Sequence, residues 1–182
     1  MYSKMKINLI VAMSRNNGIG YKGNMPWHIK AELQYFSKLT KGNGNNAIVM
    51  GNNTWKSFST EHIVGLSKRD NFILSNSQTF SEMVTADERL IKVFGTYESF
   101  MTFIQEQSYD EVWIIGGAQI YKTFLEKNSI NSCYITIIDK DFDCDTYFPE
   151  LNPAEWQEFE LKKDYDTKYD CNVRYLIYER VC

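Results

Sequence analysis

Through most of this 182-residue chain, short and predominantly apolar runs alternate with stretches of helical spacing, and that rhythm constrains the fold more than any other feature. Lys6 to Met13, Ala47 to Met50, Asn71 to Ser75, Ile91 to Phe94 and Glu111 to Ile115 read as buried strands. Between them, His28 to Leu39, Asn52 to Phe58 and Thr96 to Gln107 read as helices, the first and last on apolar spacing and Asn52 to Phe58 as a short one. Strands too apolar to face water, separated by helices, predict an α/β fold with a mostly parallel central sheet flanked by helices. The last third breaks the rhythm. Asn131 to Asp139, Trp156 to Lys163 and Val173 to Val181 are strand-like, with no helix expected between the last two, so an antiparallel C-terminal edge should close the sheet. Asn43 to Asn46 and Ser59 to Lys68 read as surface loops within one domain spanning residues 1–182.

Composition removes several classes of function. A net charge of -3 without a basic stripe argues against a nucleic-acid partner. Ile7 to Met13 is interrupted by Asn8 and too short for a membrane span or signal sequence, so no membrane partner and a cytoplasmic location are expected. Cys133, Cys144, Cys171 and Cys182 form no CxxC pair and no grouping with histidine, which predicts reduced thiols and no metal site. Neither His28 nor His62 lies in a motif for nucleophilic catalysis, and G-x-S-x-G is absent. A small ligand is the default partner.

One carboxylate sits where it should not. On a helix over His28 to Leu39, Ile29, Leu33, Phe36 and Leu39 share one arc while Lys30, Gln34, Ser37 and Lys38 share the other; Glu32 falls in the apolar arc. With Pro26 placed near the first turn, Glu32 lies too deep to act in a capping box. The helix alone leaves two readings open: a boundary residue that snorkels to water or pairs with His28, or a buried acid with a raised pKa that awaits donors from a ligand.

Two strand-to-helix junctions narrow the choice. Met50-Gly51 followed by Asn52, Asn53 and Thr54, and Ile115-Gly116-Gly117 followed by Ala118, Gln119, Ile120 and Tyr121, each end a strand and open a helix, placing backbone N–H groups and a helix dipole where a diphosphate could be cradled. Asn52 or Asn53 is the expected cap of the first. Each junction alone also reads as tight helix–sheet packing, but two of them suggest a dinucleotide. The G-x-G-x-x-G fingerprint is missing, so an ordinary Rossmann site is not expected. The loop Ser14 to Met25, with Gly18, Gly20 and Gly23, is expected to be long and mobile.

In order along the chain, Ile10-Val11-Ala12, Ile19-Gly20, Met25-Pro26-Trp27, Glu32-Leu33 with Phe36, Met50-Gly51 before Thr54-Trp55, Ile115-Gly116-Gly117 with Tyr121, Thr136, and Asp145-Thr146-Tyr147-Phe148-Pro149 resemble the dihydrofolate reductase family over nearly its whole length. The resemblance implies NADPH-dependent reduction of 7,8-dihydrofolate to 5,6,7,8-tetrahydrofolate, supplying one-carbon metabolism. Hydride would pass to pterin C6 and a proton to N5. It implies that Glu32 is the lone active-site acid, binding the 2-amino group and N3 of the pterin, with Thr136 hydrogen-bonded to the carboxylate and Trp27 holding an ordered water beside it. Ile10, Val11, Ala12, Leu33, Phe36, Phe58, Leu66 and Ile115 would form apolar walls around the pterin and aminobenzoyl rings, with Tyr121 also at the substrate. Arg69 would bind the glutamate carboxylate of folate; a solvated surface arginine beside Lys68 is the alternative.

For the cofactor, the resemblance implies Ala12, Ile19, Gly20, Met25, Gly51, Asn52, Asn53, Thr54, Ser75, Asn76, Gly116, Gly117, Ala118, Gln119, Ile120 and Tyr121. The Ser14 to Met25 loop would close over the nicotinamide. Where many relatives place basic side chains at the 2′-phosphate, this chain offers neutral Asn52, Asn53, Ser75, Asn76 and Gln119, so its preference for NADPH over NADH should be reduced. Cys144 stands where relatives often have glycine, and Ser59 to Leu66 lacks the usual proline-rich turn. Folate-analogue inhibitors are expected ligands, a monomer is expected, and no thymidylate synthase domain is expected to follow. A reductase of the same fold acting on a ribosylated pyrimidine is disfavoured by Leu33, Phe36 and Arg69, and a non-catalytic binding module by Glu32 together with Thr136 and Trp27.

Overall fold

The most apolar runs lie at the centre of one sheet: Asn46–Gly51 and Glu111–Gly116 are buried at nearly every position, as strands covered on both faces must be. The computed structural model describes residues 4–60, 64–77 and 80–182. Its elements are β1 (Lys6–Ser14), β2 (Gly18–Gly20), α1 (Lys30–Lys41), β3 (Asn46–Gly51), α2 (Asn52–Phe58), β4 (Asp70–Leu74), β5 (Glu82–Val84), β6 (Leu90–Phe94), α3 (Tyr97–Ile104), β7 (Glu111–Gly116), α4 (Ala118–Glu126), β8 (Ser132–Ile138), β9 (Thr146–Tyr147), β10 (Trp156–Asp166) and β11 (Cys171–Arg180). His62 and the middle of the Ser59 to Lys68 loop lie outside the described residues.

The main sheet runs β10-β11-β8-β1-β7-β3-β4-β6-β5. Its interior pairs, from β8 through β6, are parallel, whereas β11 joins β8 antiparallel and β10 joins β11 as a hairpin. This is the predicted architecture, with one addition: β5, too short to announce itself in sequence, closes the other edge antiparallel to β6.

Alternation along the strands sorts the core. Leu9, Val11, Val49 and Ile114 point to the face packed by Phe100 of α3 and Phe124 of α4, while Ile10, Ile48, Trp113 and Ile115 point to the face packed by Phe36 of α1 and Trp55 of α2. No helix among the described residues is long and apolar enough to cross a membrane.

Helix starts differ from the expectation. α1 begins at Lys30 with Ile29 as its N-cap, so Pro26 lies ahead of the helix and Glu32 falls in its first turn. Ile29 has no side-chain oxygen to offer, and no side-chain cap bond forms there. α2 is capped by Gly51 rather than by Asn52 or Asn53. Only α3 starts as a capping box, with Thr96 and Ser99 exchanging side-chain and backbone bonds.

The segment expected to be a long free loop is tied down. β2 pairs antiparallel with β9, Asp145 N–H donates to the Gly20 carbonyl at 2.9 Å, and Phe148 N–H donates to that of Asn17 at 2.9 Å. The Lys22 N–H reaches the Asp145 carboxylate at 2.9 Å, a bond that holds the Asp145 carboxyl below its ordinary range. Gly18 permits the closest approach, because a Cβ there would stand 2.2 Å from Cys144 Sγ and 2.8 Å from Ser14 Oγ. Gly18→Ala is therefore expected to cost roughly 1–3 kcal/mol, measured by denaturant unfolding. Adding Cys144→Gly should recover most of the loss; a strictly additive double variant would show that the two residues do not collide.

Candidate active site

α1 crosses the sheet so that its polar residues, not its apolar ones, are the most covered: Glu32 and Thr40 are its buried residues, while Leu33, Phe36 and Leu39 are half-buried. Phe36 and Leu39 pack against the sheet face that carries Ile10 and Ile115. Ile10, Phe36, Phe58, Leu66 and Ile115 meet there in one cluster, and Ala12 joins the neighbouring cluster of Trp27, Ile29 and Tyr175. Val11 does not belong with them. Its side chain packs on the opposite face of the sheet, because successive strand residues alternate, so only its backbone is available to a ligand on the α1 side. Ile19 likewise packs against that opposite core.

Glu32 is 5% exposed, and its Oε2 has no hydrogen-bond partner among the described residues. Burial pushes its carboxyl up to about 7. The positive end of α1 offsets only part of that desolvation. Both bland alternatives fail: Glu32 is too buried to reach water, and no ion pair joins it to His28 among the described residues, His28 being exposed with its backbone N–H donating to the Tyr169 hydroxyl at 2.9 Å.

Thr136 of β8 is buried and stands opposite Ala12 of β1, hence on the α1 side. The expected hydrogen bond is not made: none joins Thr136 to Glu32 among the described residues, and burial alone accounts for the raised carboxyl. Trp27 is buried against Phe142, with ring centroids 5.3 Å apart, and its Nε1 also lacks a partner among the described residues. Tyr121 is fixed from α4, its hydroxyl donating to the Ile10 carbonyl at 2.7 Å. Burial, and then the Glu32 charge, raise the Tyr121 phenol far above its usual value.

Arg69 is not a surface arginine. It is 5% exposed, with Nε donating to the Ser67 carbonyl at 2.8 Å and Nη1 to Thr40 Oγ1 at 2.7 Å. No carboxylate among the described residues pairs with it. Burial, followed by the nearby Arg89 cation, lowers it to about 10. A guanidinium fixed on two sides and short of an anion suits capture of a carboxylate. Thr40, which orients it, was missed from sequence although it continues the Glu32, Phe36 spacing by one more turn.

The two glycine junctions converge because β3 and β7 are neighbours, Met50 pairing with Gly116. A Cβ on Gly51 would meet Ile120 at 3.1 Å, and one on Gly117 would meet Thr54 Oγ1 at 3.9 Å. Gly116, at φ +121 and joined to Gly117 by a cis peptide, adopts a backbone strained for any other residue, and a Cβ there would press on the Tyr121 hydroxyl at 3.1 Å. Both helices start on glycine without a side-chain cap. Beside them Asn52 Nδ2 donates to Ser77 Oγ at 3.0 Å, and Ser77 Oγ lies 2.9 Å from Ser75 Oγ. Ser77 extends the predicted polar set; nothing in its local pattern marked it. Met25 is exposed at the end of the β2 loop.

A model of the Dihydrofolate reductase family matches residues 6–180. The dihydrofolate reductase of Haemophilus influenzae is 36% identical over 97% of this chain and 99% of that protein. Those of Drosophila melanogaster and Staphylococcus haemolyticus are 36% and 32% identical, over 85% and 100% of this chain and 84% and 99% of those proteins. The chain belongs to the dihydrofolate reductase family.

Proposed function

We propose that the chain is an oxidoreductase that reduces dihydrofolate to tetrahydrofolate with NADPH as the physiological donor. The observation that carries this reading is Glu32, a carboxyl buried without a partner among the described residues and held up to about 7, on the helix whose Phe36 packs against Ile10 and Ile115. A pterin presents to such a group the paired N–H donors it lacks. When bound, the nicotinamide supplies hydride to pterin C6.

The residues of the chain do the rest. Glu32 fixes the pterin through its 2-amino group and N3, and favours protonation at N5 through water or substrate tautomers, because its oxygens face the far edge of the ring. Phe36, Phe58, Leu66 and Ile115 hold the rings and exclude water. Arg69, steadied by Thr40, takes the glutamate carboxylate. The uncapped starts of α2 and α4 receive the diphosphate. The tie between β2 and β9 steadies the segment that leads to Met25 over the nicotinamide.

Purified protein mixed with dihydrofolate and NADPH should show loss of the near-ultraviolet absorbance of the reduced nicotinamide; binding of dihydrofolate without oxidation would mean a binding module instead. The same assay tests the adenosine end. With neutral Asn52, Asn53, Ser75, Asn76 and Gln119 in place of cations, NADPH should lead NADH by a modest factor, and both should respond alike to added salt. A large NADPH advantage that collapses with salt would show that a cation reads the 2′-phosphate.

A further inference from the structure

Three buried polar atoms on the α1 side of the sheet have no hydrogen-bond partner among the described residues: Glu32 Oε2, Trp27 Nε1 and the Tyr175 hydroxyl. Trp27 and Tyr175 share one cluster. Tyr175 is fully buried and stands opposite Thr136 in the β8–β11 ladder, as Thr136 stands opposite Ala12, so it points to the α1 side. Tyr35, one turn beyond Glu32, meets the Tyr175 ring edge-on at 4.5 Å. Burial, then the Asp164 and Glu32 carboxylates, push the Tyr175 phenol up to about 12. It therefore keeps its proton at any working pH, and Glu32 is close enough for its charge to be felt.

These groups complement one another. An indole N–H only donates, an ionised carboxylate only accepts, and a phenol does both. A single water can accept from the indole and the phenol while donating to the carboxylate, giving all three a partner where burial without one is costly.

We propose that Tyr175 is a positioning residue for Glu32, its phenolic O–H acting through one water shared with Trp27 Nε1 to orient the carboxylate and favour its ionised form. The proposal rests on the reading of Glu32 as the acid of the reductase. Other groups facing this corner are committed elsewhere. Tyr121 of α4 donates to Ile10; Lys162 of β10 lies 4.4 Å from the Tyr175 ring centroid and 5.7 Å from that of Tyr35, and pairs with Asp164 at 3.3 Å. Tyr35 of α1 packs against Tyr175, Tyr134 of β8 packs on Trp113, and His28 is exposed.

The test uses ligand-free protein labelled with 13C-glutamate, following the Glu32 side-chain carbon against pH, with Glu32→Gln to assign the signal. Tyr175→Phe removes one oxygen and keeps the ring, so it should stay folded, and it should raise the Glu32 midpoint by about 0.5 to 1 pH unit. Trp27→Phe should shift it in the same direction. Because the water is shared, the double variant should move the midpoint by less than the sum of the two single shifts. A midpoint unmoved by Tyr175→Phe in protein of unchanged circular dichroism overturns the proposal, and fully additive shifts overturn the shared water. The titration needs neither dihydrofolate nor NADPH, so its failure is separate from failure of the reductase reading, which the absorbance assay decides.

Discussion

Glu32→Gln lowers the rate of dihydrofolate reduction by about 10²- to 10⁴-fold at neutral pH, the range expected when a positioned acid is lost. Glutamine keeps the volume and one acceptor, so the apolar cluster of Ile10, Phe36 and Ile115 survives, but it can no longer accept two N–H bonds from the pterin or carry a proton. Its amide N–H₂ would instead face the donors of the ring. The deficit should therefore appear in KM as well as in kcat, and it should shrink as pH falls, when solvent protonates the substrate without help. Single-turnover measurements across pH separate these effects. Glu32→Asp is the control: the shortened arm keeps the charge, so it should lose far less, by up to about 10²-fold for a carboxylate displaced by one carbon. A Glu32→Gln variant that keeps its rate while Glu32→Asp loses activity would mean that Glu32 acts by its size and packing.

The residues that carry this chemistry were legible in sequence to the extent that each broke a local pattern. Glu32 stands out as a charge on an apolar arc, but periodicity alone leaves its burial open, and the structure covers it more fully than the Leu33, Phe36 and Leu39 of the same arc. The strand-to-helix glycine junctions could be placed because β3 and β7 end there, although their convergence depends on a strand order that spacing alone does not give. Arg69 was placed by resemblance; its local sequence suggested a surface residue, and only the tertiary bond to Thr40 shows that it is buried. Val11 was assigned to the wrong side, since a run of three apolar residues cannot all face one ligand across a pleated strand. β2 and β9 were invisible because strands of two or three residues exist through their pairing rather than through their own pattern. Tyr175 is hidden for a similar reason: it is one more aromatic position in a C-terminal strand until its hydroxyl is found buried on the α1 side without a partner among the described residues.

The acid proposed to handle the proton should also weaken the fold, and the sign of its pH dependence is fixed by the direction of its shift. The Glu32 carboxyl is raised from 4.5 to about 7 by burial, so between those values the folded protein holds a proton that the unfolded chain has released. Stability is then unaffected by this group below its unfolded pKa and falls as pH rises through the folded one. Glu32→Gln cannot ionise and escapes the loss. The variant's stability relative to the parent, in ligand-free protein, should be roughly 3 kcal/mol more favourable at pH 8 than at pH 4, a change of about 6 to 12 °C in the difference between their midpoints. Comparing the two at both pH values cancels any fixed packing difference between glutamine and glutamate. A hydrogen-bond chain through Trp27 and Tyr175 that favours the ionised carboxylate reduces the effect below that ceiling, so the same experiment with Tyr175→Phe as the parent should show a larger swing. A stability difference that does not vary with pH would mean that Glu32 titrates in the folded protein as it does in the unfolded chain. That result would remove the desolvation on which its role as a proton-handling group depends.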